Sequence, residues 1–528
     1  MGRIFQILRA PGVRHETRGV VATQVVYTTD SDQENGANVE NINRYIAPTK
    51  TGLLDRCLDK IVEASGSEFV YFSIIIALLI WAFLGIPFGT SNIWQIVISN
   101  AQAIINMIFD AFLMRQQFNS HESLVVVAAC LRSRTASNKR MLQQLTRSGD
   151  YPEVNIQQFH ASEQANFASK LPSENWLGRI STGLSIFMGH IYTVIGFWVC
   201  IVIWIAFGKY CGWSNTWQLY INSATSALMV FVLAFLANIR ERHTKYMTKC
   251  LESIWNVDAA LELQLRLMTG DTVENVPVVI PAPQRSRIQR GIDYYADLVG
   301  TLAGIAILIF VMVVWVGIGP ALHFNTNWWL LIGTYAGLIG LNDGFVLRNV
   351  FTVLGDHETE QFAQVEYDDM DMLAAIGVEK MEEERVVANS LTCRVSLKVG
   401  DVCSHQYTVV AGAVSIIGMI IGASAMGWSV TGQLLCNVPP SIIESFLTMI
   451  LITGHNMDDA KRRVDFHNIY LRRLKLVAYV DALTKIEGVE EKGDMDAIEE
   501  AVQSGQFEEE EKTKLHADVV VEVFSEEK

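Results

Sequence analysis

The sequence predicts an all-α polytopic membrane protein with eight transmembrane helices, arranged as four pseudo-repeated hairpins with helical cytoplasmic extensions. Half of the 528 residues are apolar, and the mean hydropathy is +0.24 despite long charged stretches. Eight apolar runs are each long enough to cross the hydrocarbon core as a helix. Short turns join these runs in pairs, and long polar segments separate the pairs. The runs cover 69–88, 93–114, 184–208, 217–238, 298–319, 328–348, 406–427 and 432–454.

The polar segments between the hairpins complete the organisation of the chain. Residues 1–50 are polar and turn-rich, which predicts a mostly disordered cytoplasmic arm. Beyond each even-numbered span the apolar residues keep helical spacing, so we expect these helices to extend into the cytoplasm and pack there. The division is an arm, 1–50; an amphipathic helix and hairpin 1, 51–114; a cytoplasmic segment, 115–183; hairpin 2, 184–238; a cytoplasmic segment, 239–297; hairpin 3, 298–348; a cytoplasmic segment, 349–405; hairpin 4, 406–454; a cytoplasmic helix, 455–486; and an acidic tail, 487–528.

The distribution of basic residues predicts the orientation in the membrane. Lysine and arginine cluster directly after the even-numbered spans, whereas the four hairpin tips hold only Lys209. Because basic residues favour the cytoplasmic side, we expect both termini inside the cell and the tips outside. The clustered residues are Arg115, Arg240, Arg242, Lys245, Arg348, Lys461, Arg462 and Arg463.

Composition argues against several functional classes. The net charge is −15 and no basic cluster is dense, which argues against a nucleic-acid partner. The eight cysteines include no C-x-x-C pair and are expected to be reduced thiols. The chain has no H-E-x-x-H, G-x-S-x-G, Walker or Rossmann signature. We therefore expect neither an enzyme, nor an ATP-driven pump, nor a resident cofactor; membrane lipid is an expected partner.

Three acidic residues lie inside predicted even-numbered spans. Asp110 and Asp343 are each followed by a small residue, a phenylalanine and, five positions on, an arginine, while Glu444 is followed by Ser and Phe. This repeated pattern predicts hairpins related by an axis along the membrane normal. Two alignments of the fourth hairpin are open. One matches Trp428 to Trp217, and the other, four residues away, matches Gly432 to Trp217.

Polar residues form a stripe along two of the even-numbered spans. Facing lipid would be costly for them, so the stripes are expected to face each other or water. Oxygen-rich faces can replace part of the hydration shell of a cation. The alternative is that the amides and hydroxyls are hydrogen-bonding glue between helices. The stripes are Gln95, Ser99, Gln102, Asn106 and Asp110 in the second span, and Gln433, Asn437, Ser441, Glu444 and Thr448 in the eighth.

The acids themselves allow two interpretations. Arg115 and Arg348 lie five positions after Asp110 and Asp343, which is poor spacing for a pair on one helix. An ion pair between helices would nevertheless make these acids structural. Glu444 has no arginine at the matching position, so it is the stronger candidate for a metal ligand.

The third span adds softer donor atoms. Met188 and His190 bring a thioether and an imidazole into the membrane, and these groups suit borderline and soft metals. The alternative is an interhelical hydrogen bond from the histidine and a packed methionine.

Several long motifs resemble the low-affinity iron(II) permease family of fungi. The resemblance implies a plasma-membrane permease for Fe²⁺ that admits copper and zinc less selectively. It also implies a second acid after the position of Glu444, where this chain has Ser445. The motifs include Leu113-Met-Arg115-Gln-Gln117, Trp217-Gln-Leu-Tyr-Ile-Asn222, Ile239-Arg-Glu-Arg-His243, NWWLLIGTYAGLIG at 327–340, Asp343-Gly-Phe-Val-Leu-Arg348, and His455-Asn456 with Arg462-Arg463.

The resulting hypothesis is a divalent-metal permease driven by the membrane potential, with its path between the even-numbered spans. The metal is the transported substrate. A proton-coupled symporter and a non-transporting sensor or scaffold are the alternatives, and the oligomeric state is open. The predicted ligands are Glu444, Asp343, Asp110, Asn106, Gln102 and Asn437, with His190 or Met188 adding selectivity.

Overall fold

The computed structural model describes residues 14–24, 45, 52–89, 91–148, 176–377 and 391–487. In this part of the chain, seven helices are long and apolar enough to cross a membrane. An eighth crossing results if the bent pair Arg287–Gly300 and Leu302–Ile318 counts as one span. The protein is therefore a helical, multi-pass membrane protein, as predicted.

The same order of elements occurs four times along the described chain. A short helix is followed by an apolar helix, a tight turn and a long helix that returns across the membrane; in the last case the long helix is broken into α12 and α13. The helices are α1 Leu53–Ser65, α2 Glu68–Phe88, α3 Asn92–Ser148, α4 Trp176–Gly189, α5 Ile191–Gly208, α6 Asn215–Thr269, α7 Arg287–Gly300, α8 Leu302–Ile318, α9 Thr326–Ala375, α10 Leu391–Ser404, α11 Gln406–Ala425, α12 Val430–Leu435 and α13 Val438–Glu487.

Two of the predicted spans begin later than the sequence indicated, because a helix break precedes the apolar helix in each of them. The third span begins at Ile191 rather than 184, because the His190 ring accepts a hydrogen bond from the Tyr192 N–H at 3.3 Å and caps α5. The fifth begins at Leu302 rather than 298, after a 65° bend between α7 and α8. The short helices α1 and α7 are apolar on one face only, so they suit the membrane surface rather than its interior.

A stacked pair of tryptophans closes three of the four hairpins near the outer turn. The rings are nearly parallel, with centroids 3.9–4.4 Å apart. In two pairs each indole N–H donates to the backbone carbonyl of the other tryptophan, at 2.8–3.2 Å. The apolar and long helices are thus fixed in register at the outer end. The pairs are Trp81–Trp94, Trp204–Trp217 and Trp315–Trp328.

Helix caps determine how the fourth hairpin aligns with the others. Ser214 caps α6 through the N–H of Trp217, and Ser429 caps α12 in the same way through the N–H of Gly432. Trp428 lies before the cap with a positive φ of 54°, as Trp213 does with 51°. The geometry therefore matches the alignment of Gly432 with Trp217. The alternative alignment of Trp428 with Trp217 is wrong.

The four long helices form the centre of the molecule. Helix α3 packs against α6 and α9, and α13 packs against the same two helices. Consequently α3 and α13 face each other across the bundle diagonal. The apolar helices lie outside and expose large side chains such as Phe83 and Ile86, as expected for surfaces that contact lipid.

The long helices continue beyond the predicted spans into a second packing layer, named the cytoplasmic layer after the orientation that the basic residues predict. Its apolar core includes Leu131, Leu261 and Phe466. A buried ion network crosses this layer. The Arg473 guanidinium contacts Asp369 at 2.8 Å and Asp258 at 3.0 Å. The long helices thus extend beyond the spans and pack together there.

The N-terminal arm is more ordered than the sequence predicted. Strand β1, Thr17–Gly19, pairs antiparallel with strand β2, Val278–Ile280. Val21 and Tyr45 are buried in the cytoplasmic core. The prediction of disorder was wrong for these residues. Their order comes from contacts with residues far along the chain, which a local sequence pattern does not reveal. The other predicted features of residues 1–50, and those of 149–175 and 488–528, fall outside the described residues.

The buried network predicts a large cost for removing its arginine. Arg473→Met removes the cation that joins Asp258 to Asp369 and leaves each buried carboxylate with one arginine, Arg134 at 3.5 Å and Arg472 at 3.2 Å; breaking such a buried network costs about 3–5 kcal/mol. We expect a clearly lower thermal unfolding temperature for the purified protein in detergent.

Arg132→Met is the matched control. Its pair with Asp368 is partly exposed, with side chains 24% and 26% accessible, so about 1 kcal/mol or less is expected. Equal destabilisation by both variants would contradict the prediction.

Candidate functional site

A hydrogen bond between two buried side chains crosses the centre of the bundle. The Asn106 amide on α3 donates to Glu444 Oε1 on α13 at 2.5 Å, and both residues are at most 1% exposed. The backbone of α9 lies directly against this carboxylate, because a Cβ at Gly340 would be 2.6 Å from Glu444 Oε1. A carboxylate and an amide therefore meet on the bundle axis, with the amide N–H as the donor.

Two further carboxyl groups lie near this pair. Asp110 follows Asn106 by one helical turn on α3, and Asp343 is on α9. Asp343 accepts a hydrogen bond from the Tyr295 hydroxyl of α7 at 2.6 Å. Asp110 interacts electrostatically with both of the other acids. The structure thus brings together the three acids that the sequence singled out.

The arginines that could have neutralised the two aspartates bind elsewhere. Arg115 contacts Asp55 at 3.0 Å and Asp59 at 2.6 Å, both on α1. Arg348 lies over the Phe351 ring at 5.7 Å and against the backbone of Gly454. Among the described residues neither aspartate has an arginine partner, so the salt-bridge alternative does not apply there.

The outer half of the polar stripe is partly hydrogen-bonding glue. The Asn222 amide donates to Ser99 Oγ at 2.8 Å, and the Asn437 amide reaches the same oxygen at 3.5 Å. Gln102 Oε1 accepts from the Ser226 hydroxyl at 3.4 Å. These bonds link α3 to α6 and to α13. The alternative interpretation of the amides is therefore correct for several of them.

A helix break exposes backbone carbonyls beside the stripe. Pro439 and Pro440 have no N–H, so the carbonyls of Leu435 and Cys436 lose their helical partners where α12 ends and α13 begins. A Cβ at Gly337 would be 2.8 Å from the Cys436 oxygen, so this carbonyl faces α9. Sequence reasoning missed this feature, although the proline pair was a visible signal.

Unpartnered oxygens mark the whole length of the stripe. In the membrane part of the bundle, six buried side-chain oxygens in or beside the stripes have no hydrogen-bond donor among the described residues, and two donors there, Asn100 Nδ2 and Trp217 Nε1, have no acceptor; further unpartnered oxygens lie nearer the other end of the long helices. All six are acceptors, which suits a cation. Within the described part, no three His, Cys, Asp or Glu side chains form a metal-ligand cluster. A metal here would have to use amide oxygens as well as acids. The oxygens are Gln95 Oε1, Asn106 Oδ1, Asp110 Oδ2, Asn222 Oδ1, Gln433 Oε1 and Glu444 Oε2.

Comparison with known proteins identifies the family. A family model described as low affinity iron permease matches residues 177–269 and 392–522. The low-affinity iron/zinc ion transport protein fet4 of Schizosaccharomyces pombe is 34% identical over 499 residues, covering 90% of this chain and 85% of the relative. The chain belongs to the low-affinity iron permease family.

A second relative agrees with this assignment. The low-affinity Fe(2+) transport protein of Saccharomyces cerevisiae is 35% identical to this chain over 461 residues, which cover 81% of this chain and 84% of the relative. No solved structure matches the permease.

Two predicted ligands of the permease lie away from the polar stripe. Met188 is buried in an apolar cluster with Leu113, Leu236 and Leu451. His190 is used as the cap of α5 and packs against the Tyr192 ring, 5.0 Å between centroids. The prediction that they line the path was wrong, because the break between α4 and α5 removes them from a continuous span.

The end of the bundle that the basic residues predict to be cytoplasmic carries a cluster of buried titratable side chains. His243 Nδ1 lies 2.8 Å from His455 Nε2 and 3.3 Å from Asp459 Oδ1. Burial lowers the pKa of both imidazoles well below their usual range, and the nearby Arg463 lowers it further. Burial raises the pKa of Asp458 to about 6. The end of the bundle is thus a packed polar cluster rather than an open solvated mouth.

Gly340 gives a direct test of the central pair. In Gly340→Ala the new Cβ would lie 2.6 Å from Glu444 Oε1, which is shorter than any normal contact. It would therefore push the Glu444 carboxylate away from Asn106. We expect a several-fold loss of radioactive iron uptake with normal amounts of protein at the cell surface.

Gly317→Ala is the control, since a Cβ there would meet nothing within 4 Å. Unchanged uptake in Gly340→Ala would show that the tight approach of α9 to Glu444 is unimportant.

Proposed function

We propose that this permease carries Fe²⁺ into the cell across the plasma membrane, through a path between α3, α6, α9 and α13. Zn²⁺ is the second expected substrate, since one relative is named for both metals; copper remains a prediction from the sequence. The observation that supports the proposal is the column of unpartnered buried oxygens around the Asn106–Glu444 pair. Acceptors without donors inside a membrane are costly unless a cation uses them.

The proposed ligands act in sequence along the bundle. Asn106 and Glu444 form the central position, where an entering ion would replace their direct hydrogen bond. Asp110 and Asp343 extend the negative charge toward the cytoplasm. Gln102 and Asn437 line the outer approach with amide groups that exchange partners as the ion passes. The bond across the diagonal means that the described conformation is closed at this position.

The membrane potential is the proposed driving force. The basic residues after the even-numbered spans support a cytoplasmic location for both termini and the long helical extensions. Two positive charges crossing about 100 mV of inward-negative potential release about 4.6 kcal/mol. Uptake at ordinary external concentrations then needs no ATP. We also propose that α8 crosses the membrane while α7 lies at its surface, which gives eight crossings in four pseudo-equivalent hairpins.

Two alternative functions lead to different measurements. The three neighbouring carboxyl groups would also suit a proton-coupled symporter, since carboxylates in a membrane can relay protons. A sensor or scaffold would use the cytoplasmic layer alone. The unpartnered oxygens favour transport over a scaffold, because a scaffold gains nothing from unsatisfied buried acceptors.

Removing the acids should reduce transport by the purified permease in liposomes. Glu444→Ala removes one ligand oxygen pair and Asp343→Asn removes one charge, so we expect a large loss of iron flux for the first and a smaller loss for the second. Asp371→Asn is the matched control in the cytoplasmic layer, where the carboxylate is 46% exposed. Wild-type flux in both acid variants would remove these residues from the mechanism.

The coupling mode can be tested in the same liposomes. We expect iron flux to rise with an imposed inward-negative potential, since charge moves with the ion. At fixed potential the flux should be the same at neutral and mildly acidic external pH. A flux that grows with external acidity would instead support the symporter.

A further inference from the structure

The outer caps of the four long helices define equivalent positions along the bundle. Each capping residue accepts, at its carbonyl, the N–H four residues further on, at 2.9–3.3 Å. The caps are Ser91, Ser214, Asn325 and Ser429. The residues fifteen positions after these caps are Asn106, Met229, Gly340 and Glu444. Three of these four already form the central position of the proposed path.

Contacts place Met229 beside that position. Met229 is 1% exposed and is a member of the same apolar cluster as Met188. Its sulfur lies 3.8 Å from the Ser445 and Thr448 hydroxyls of α13, which donate to backbone carbonyls of the same helix at 2.7 and 2.9 Å. One turn further out, the Thr225 and Ser441 hydroxyls are 3.1 Å apart. Helix α6 therefore packs on α13 with Met229 next to the turn that carries Glu444.

The packing order of the helices arranges the four residues as a square. Asn106 and Glu444 occupy one diagonal, on α3 and α13. Met229 on α6 and Gly340 on α9 occupy the other. Gly340 has no side chain, so Met229 contributes the only donor atom on its diagonal among these four described residues.

We infer that Met229 is a metal ligand at the central position and that its thioether favours transition metals over Ca²⁺ and Mg²⁺. This inference rests on the proposed transport function. A carboxylate and an amide alone would form an all-oxygen site, which suits the hard cations Ca²⁺ and Mg²⁺. A thioether from a third helix favours softer ions. The Ser445 and Thr448 hydroxyls, which bond to the backbone of α13, pack against the sulfur and help to orient it, as groups around a metal site commonly do.

The test uses competition between metals for uptake of radioactive iron. Met229→Leu keeps the volume and removes the sulfur, so the bundle should still fold. We expect Cd²⁺, a soft ion, to lose potency as a competitor several-fold relative to wild type, while Mn²⁺, a hard ion, keeps its potency. Met229→Gln, with an oxygen donor, should shift the preference further toward Mn²⁺.

Met188→Leu is the matched control, because Met188 is a buried member of the same apolar cluster as Met229 but lies on α4, away from the polar stripe. It should leave the potency of both competitors unchanged. If Glu444→Ala abolishes uptake but Met229→Leu keeps the wild-type ratio of Cd²⁺ to Mn²⁺ potency, the inference about Met229 is wrong and the proposed path stands. If Glu444→Ala transports normally, the proposed path itself fails.

Discussion

A carboxylate buried at the centre of a membrane bundle is costly unless other groups compensate it, and the rest of this structure is arranged around that cost. Glu444 is met by the Asn106 amide from the opposite helix at 2.5 Å and by the bare backbone at Gly340. Close packing of α9 on α13 requires glycine at this point. The apolar helices outside then separate the polar centre from lipid. One oxygen of this carboxylate accepts the Asn106 hydrogen bond, and the other has no donor among the described residues, so it is available as a cation ligand.

The fold was largely predictable because lipid imposes strict rules on a sequence. Long apolar runs, tryptophans at one end and arginines at the other identified the crossings and the long helical extensions. The starts of the third and fifth spans were not predictable from hydropathy. There, His190 and the bend before Leu302 end one helix and begin another inside an apolar run. Strand β1 was missed because its partner is more than two hundred residues away.

The candidate site was predictable in part for a different reason. Helical spacing places Gln102, Asn106 and Asp110 on one face, so their shared burial follows from the sequence alone. Which helix lies opposite is a tertiary fact. Consequently the pairing of Asn106 with Glu444, the role of Gly340 and the nearness of Met229 were invisible, and Met188 and His190 were wrongly preferred. The proline pair at 439–440 did signal a break, but its meaning depends on α9 lying beside it.

The length of the central helices has one further consequence. Helix α3 runs without interruption for 57 residues and α6 for 55, from the outer turns into the cytoplasmic layer. A continuous helix is stiff, so any tilt that separates Asn106 from Glu444 also swings the far ends of the same helices. Arg473 joins three of these far ends, through Asp258 on α6, Asp369 on α9 and Thr135 on α3. Separation of Asn106 from Glu444 by tilting would therefore require the packing around Arg473 to change as well.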